Sequence, residues 1–216
     1  MKRILFSLMA VAGTIFTVQA QSDQFTGAMK EQLTRLSTDS TAYTPAGMQQ
    51  LANTFERIAE AEKTQWLPYY YAAYCRVNEA FFTQDRNKTD EIADKAQLAI
   101  EKAQALKGQD SEISCILSMI ASARIGVDPM TRGMKYGPMS AELLDAAQKQ
   151  NPNNPRVFML KGQNLLYTPE AFGGSKTKAK EMFDIALQKF AAFKPESELA
   201  PTWGEPYVKE LIKQVQ

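Results

Sequence analysis

Residues 171–183, Ala-Phe-Gly-Gly-Ser-Lys-Thr-Lys-Ala-Lys-Glu-Met-Phe, put two glycines just ahead of Ser175 and Lys176. Glycines running into lysine and hydroxyl side chains are the material of a phosphate-cradling loop, in which backbone N–H groups and a lysine hold the anion. That loop has the form G-x-x-x-x-G-K-[ST] and follows a strand. Here Ser175 separates Gly174 from Lys176, the upstream glycine is missing, and Leu165, Leu166 and Tyr167 end a helical pattern. The residues describe a structural turn instead. Pro169 stops one helix, Gly173 and Gly174 take conformations other residues avoid, and Ser175 caps a helix that starts at Lys176. An anion held at that helix start by Lys176 and Lys178 is the weaker alternative.

Other chemistries narrow quickly. The sequence contains no histidine. Ser-His and Cys-His nucleophile systems are therefore excluded, and with them histidine-based metal sites. Glu56, Glu60 and Glu62, and likewise Glu91 and Asp94, fall on helical faces where solvation is their default use. Nothing in the spacing pairs two carboxylates across a scissile bond. The expectation is a protein that is not an enzyme and has no cofactor and no metal site. Asp39-Ser40-Thr41 resembles a short O-glycosylation signal, and a turn explains it equally well. Lys+Arg number 25 against 24 Asp+Glu, which offers no electrostatic case for nucleic acid.

The elements that position these residues are helical. Apolar periodicity near 3.6 runs from Asp23 to the end, and strand-like alternation is absent. Breaks are expected at STDSTAYTPAG, TQDRNKT, LKGQD, GVDPMTRGMKYGP, QNPNNPR, TPEAFGGS and FKPESELAP. Ahead of this, Lys2 and Arg3 precede the apolar run Ile4–Val11, and Val18-Gln19-Ala20 supplies small residues at a cleavage site. Residues 1–20 thus have the form of a secretory signal peptide cut after Ala20. The expected location is the periplasm. Residues 21–216 are expected to form a single helical-repeat domain with no membrane span.

Within that domain one spacing recurs. Ser140, Leu144, Ala147 and Pro152 are followed by Phe158, Gly162 and Leu165; Ala96, Ile100, Ala103 and Gly108 stand 44 residues earlier. Ala52, Ala59 and Thr64 repeat the spacing with Phe55 as the packing residue, and Ala179, Phe183 and Ala186 form a fourth copy. Small residues let neighbouring helices approach while large ones fill the holes. This pattern resembles the tetratricopeptide repeat, with about ten extra residues placed between the first and second helix of most pairs. First helices then begin near Asp23, Leu67, Ser111 and Pro155, with Pro155 and Pro206 in first turns.

The resemblance implies an all-α, right-handed superhelix of about four antiparallel helix pairs, plus a C-terminal capping helix from about Glu205. Trp203 and Tyr207 would cover the open end. It also implies a concave groove lined by first-helix positions: Tyr71, Cys75, Asn78, Cys115, Met119, Arg156, Met159 and Gln163. Cys75 and Cys115 are small core residues in this reading, with a disulfide as the alternative that export permits. TPEAFGG resembles a segment of exported tetratricopeptide-like proteins, which would make Phe172 a plug folded onto the core. The leading functional expectation is a scaffold or adaptor that binds a protein or peptide partner in the groove. The alternative is a periplasmic protein that binds a small molecule or envelope component, accessory to transport, near Tyr136, Tyr167 and Phe172.

Overall fold

The structure, a computed structural model, describes residues 23–215. The expected signal peptide and its cleavage after Ala20 lie outside those residues. A first helix, α1, occupies residues 23–38. It is followed by α2 (Pro45–Ala61), α3 (Trp66–Phe82), α4 (Arg86–Lys107), α5 (Ser111–Ile125), α6 (Pro129–Gln150), α7 (Pro155–Tyr167), α8 (Lys176–Ala192) and α9 (Glu205–Lys213). Single 3-10 turns sit at Ser40–Ala42 and Glu170–Phe172, and no strand occurs among the described residues.

The starts are set by local chemistry. Thr44, Asp85, Asp110, Asp128, Asn154 and Ser175 each accept a backbone N–H of the helix they precede. Pro45, Pro129, Pro155 and Pro206 sit in first turns, where a missing N–H leaves no bond unmade. The first helices start at Trp66, Ser111 and Pro155, within one residue of the 44-residue register.

Two expectations are corrected. The break expected over GVDPMTRGMKYGP is confined to Gly126–Asp128, because α6 starts at Pro129 and runs through Gly133, Gly137 and Pro138. Asp128 and Pro129 form a strong helix start. Pro138 removes the bond to the Met134 carbonyl on a side where Met134 itself is exposed to water. In the second and third pairs the extra residues therefore lengthen α4 and α6, while α1 joins α2 through six residues and α7 joins α8 through eight. α3 joins α4, and α5 joins α6, through only three residues each.

Each helix from α2 onward packs on its successor, and α3, α5 and α7 also touch side by side. The short connections make successive helices antiparallel. Ala52, Ala59, Ala96, Ala103, Ser140, Ala147, Ala179 and Ala186 are all buried at these approaches, with Phe55, Ile100, Leu144 and Phe183 filling between them. Gly162 is required by contact, since a Cβ there would overlap the Phe183 ring. The core runs from Met29 in α1 to Leu211 in α9.

Candidate functional site

The eight residues expected to line the groove are brought together, but not as an open surface. Tyr71, Cys75, Cys115, Met119, Arg156 and Met159 are buried, while Asn78 and Gln163 are half-buried. Part of this face is covered by the chain itself, through the irregular segment 193–204 between α8 and α9. The Tyr71 hydroxyl donates to the Leu199 carbonyl at 2.9 Å, and Arg156 Nη2 donates to the Pro201 carbonyl at 2.5 Å. Trp203 lies 4.7 Å from the Tyr74 ring centroid and donates its indole N–H to the Tyr70 hydroxyl. The expectation that Trp203 closes an end of the stack is replaced by this position on the inner face.

Arg156 is the centre of that face. It is fully buried and pairs with Glu112 at 3.1 Å. Glu112 also accepts from Tyr70 and Asn154. Rings of Phe190, Phe193 and Trp203 lie 5.8, 4.9 and 5.0 Å from the guanidinium. Burial pushes the Glu112 carboxyl up while the Arg156 charge and the Tyr70 hydroxyl pull it down, and burial prevails. Burial likewise pushes the Cys75 and Cys115 thiols up, and both are free and unbridged. They are inert core thiols.

A different surface stands out at the edge where first helices end and second helices begin. Its alignment is fixed by polar links between elements. Asp90 near the start of α4 takes a paired contact from Arg132 at 2.7 and 2.8 Å, and Arg124 near the end of α5 reaches Asp94. Farther along, Ser118, Ser122 and Ser140 join Asn164 of α7 through hydroxyl and amide bonds.

Along this edge large apolar groups face solvent. Met130 is 81% exposed, Met134 75%, Phe172 64% and Tyr167 59%. Met139, Tyr207, Phe81 and Tyr43 continue the set. Tyr136 is half-buried with Lys135 over its ring at 4.9 Å. Tyr207 on α9 meets Gln163 at 3.4 Å and lies beside Tyr167. Burial and that neighbour push the Tyr207 phenol up to about 12.

Phe172 is therefore not a plug. It belongs to the turn Glu170–Phe172, which buries no residue, and the loop closes beneath it by backbone contacts. Gly173 takes φ 95, and Gly174 packs so tightly on the Thr168 carbonyl that a Cβ would overlap it. Ser175 accepts from the Lys178 N–H, so this stretch is the turn and cap that its residues describe. No His, Cys, Asp and Glu group suited to a metal ion occurs among the described residues. No helix among them is long and apolar enough to cross a membrane.

The methionines of the rim escaped the sequence reading because Gly133, Gly137 and Pro138 looked like loop punctuation. The signal was present in Asp128-Pro129, a helix start, with Met130 and Met134 four apart.

Fold and surface together define an all-helical protein of packed helix pairs with an apolar, aromatic rim. No protein-family model and no curated protein matches the chain. A solved structure does: the chain is similar to the HusA haemophore from Porphyromonas gingivalis, with 36% identity and a TM-score of 0.79. The match covers 89% of this chain and 92% of that one. The chain belongs to the same family as that haemophore.

Proposed function

We propose that this protein is an exported carrier that binds a flat, apolar macrocycle of the haem class on the rim formed by α6, the end of α7, the following turn and α9. The exposed cluster of Met130, Met134, Tyr167 and Phe172 carries the reading. Met130 and Met134 stand one turn apart at the start of α6, Tyr167 and Phe172 at the end of α7 and in the turn after it, and large apolar groups left in water at neighbouring element ends suit a site that meets an apolar ligand. Methionine and tyrosine adapt to the face of a ring system, and Lys135 stands ready for a carboxylate at its margin. The related haemophore supports the same class of cargo. Binding alone is its activity, and no chemistry is carried out on the ligand. The helix pairs stack as lengthened tetratricopeptide-like repeats in a right-handed superhelix. The signal-peptide reading of residues 1–20 places the carrier outside the cytoplasm, in the periplasm. This is the second of the two sequence-based readings; the adaptor reading loses ground because its groove residues are buried.

With no histidine in the chain, imidazole cannot hold the iron. A phenolate bond at Tyr207 is disfavoured by a phenol pushed up to about 12. Contacts to the ring face then dominate recognition, and iron-free protoporphyrin should bind about as tightly as haem; much tighter binding of haem would instead assign an axial bond to a rim thioether or phenol. Absorbance and fluorescence titrations test this with the wild-type protein, Met134→Lys and Tyr167→Ala. Removing rim contacts should weaken binding roughly tenfold or more, as loss of a central contact does at other interfaces. Leu98→Ala, an exposed change on the mid-length of α4, should leave it unchanged. Equal binding by all four proteins, or no binding, rejects the assignment.

A further inference from the structure

From the end of α1 to the cap of α2 the chain reads Ser37-Thr38-Asp39-Ser40-Thr41-Ala42-Tyr43-Thr44. Each serine and threonine hydroxyl here but one is committed to the fold. Ser37 and Thr38 donate to the Thr34 carbonyl in the last turn of α1. Thr41 donates to the Asp39 carboxylate at 2.6 Å, and Thr44 donates to the Thr41 carbonyl while it caps α2. Ser40 differs. It is exposed, and its hydroxyl has no partner among the described residues.

The backbone beneath that hydroxyl is held on every side. Asp39 accepts the Thr41 N–H at 2.9 Å and so caps the turn Ser40–Ala42. The Ala42 N–H donates to the Asp39 carbonyl, and the Tyr43 N–H donates to the Ser40 carbonyl. Ala42 is buried, and Gly47 of α2 lies so close to the Thr41 and Ala42 carbonyls that a Cβ would overlap them. The turn is thus seated on α2 and offers the Ser40 oxygen to a second molecule at no cost in lost contacts. Asp39-Ser40-Thr41 is also the stretch that resembles an O-glycosylation signal. A turn and a modification signal do not compete there, because the turn uses the side chains of Asp39 and Thr41 and leaves that of Ser40 unused. The turn belongs to the first pair, whereas the rim is built from α6, α7 and α9, so a group on Ser40 leaves the cargo surface free.

We propose that Ser40 is an O-glycosylation site that takes a sugar from a lipid-borne glycosyl diphosphate. The assignment rests on the export reading, since donors of that class, and not nucleoside triphosphates, reach proteins outside the cytoplasm. The Ser40 oxygen attacks the anomeric carbon, and the bond from that carbon to the diphosphate breaks. The lipid diphosphate leaves, and the hydroxyl proton passes to a base of the transferring enzyme. The test is intact-mass and peptide-fragmentation measurement on the protein purified from the cells that naturally make it. The mature chain should exceed the mass of residues 21–216 by a whole glycan, and in the tryptic peptide Leu36–Arg57 the addition should sit on Ser40. Ser40→Ala should lose it completely, and Ser40→Thr, which restores a hydroxyl, should keep it. Ser37→Ala, which removes an exposed hydroxyl nearby, should leave it in place. Circular dichroism should find the same helix content in all of these chains, because the Ser40 hydroxyl holds no part of the fold. A chain that begins at Gln21 with a bare Ser40 overturns the proposal, and so does a sugar found on Thr41 or one that persists in Ser40→Ala. A bare chain that still carries residues 1–20 overturns the export reading along with it. Macrocycle binding is read separately, so the carrier assignment can fail or stand alone.

Discussion

Gly173 and Gly174 are adjacent and serve different needs. Gly173 has open space around it and a left-handed backbone; Gly174 has an ordinary φ and no space at all. Alanine at Gly173 should therefore cost about 1–2 kcal/mol, the usual penalty for a Cβ in left-handed backbone. Alanine at Gly174 must displace the Thr168 carbonyl, and overpacking of that kind costs roughly 1–3 kcal/mol. Urea unfolding of the two variants measures both losses. Nucleotide or phosphate should leave the melting temperature of the wild-type protein unchanged, since the loop is a turn with its N–H groups turned to structural use. The Gly173 and Gly174 N–H groups, for example, donate to the Glu170 and Pro169 carbonyls. Thermal stabilisation by a nucleotide would restore the anion-loop alternative.

At the scale of the element, small residues set how closely helices approach. Ala147 on α6 is fully buried, and its carbonyl accepts from Ser111 on α5 at 2.9 Å, so both side chain and backbone are engaged at one crossing. Ala147→Leu should destabilise by roughly 1–3 kcal/mol through overpacking. Ala191, exposed near the end of α8, is the control. Leucine is nearly as good a helix former as alanine, so Ala191→Leu should be close to neutral. Thermal unfolding that finds the two changes equally mild would remove the close-packed register from α6. The same helix carries the rim: its buried half, from Ser140 to Ala147, is clamped on α5, and its first half extends past the core with Met130 and Met134 in solvent. Packing of one half thus holds the other in position for a ligand.

For the whole molecule, the two thiols report on integrity. Cys75 on α3 and Cys115 on α5 are both fully buried and free. A thiol reagent should find neither in the native protein and both after denaturation without reductant. Two thiols in the denatured chain exclude a bridge; none would show that export had oxidised the pair. Because both sit in the central layer where α3 and α5 meet, their protection follows the opening of the entire stack and not the fraying of its ends.

Helix starts other than that of α6, the 44-residue register and the small-residue positions were legible in the chain, because each depends on neighbours a few residues away. Asp110 caps Ser111, Asn154 and Pro155 begin α7, and Ser175 caps Lys176 whatever else surrounds them. The candidate sites were not legible in the same way. That Tyr71, Arg156 and Met159 share a face followed from helical period, but their burial depends on Leu199, Pro201 and Gly204, up to 128 residues distant. Periodicity says which side chains share a face and is silent about what covers it. The rim was hidden for a related reason. Gly133, Gly137 and Pro138 are locally poor in helix, and only docking of Leu144 and Ala147 on α5 stabilises a helix long enough to lift Met130 and Met134 into solvent.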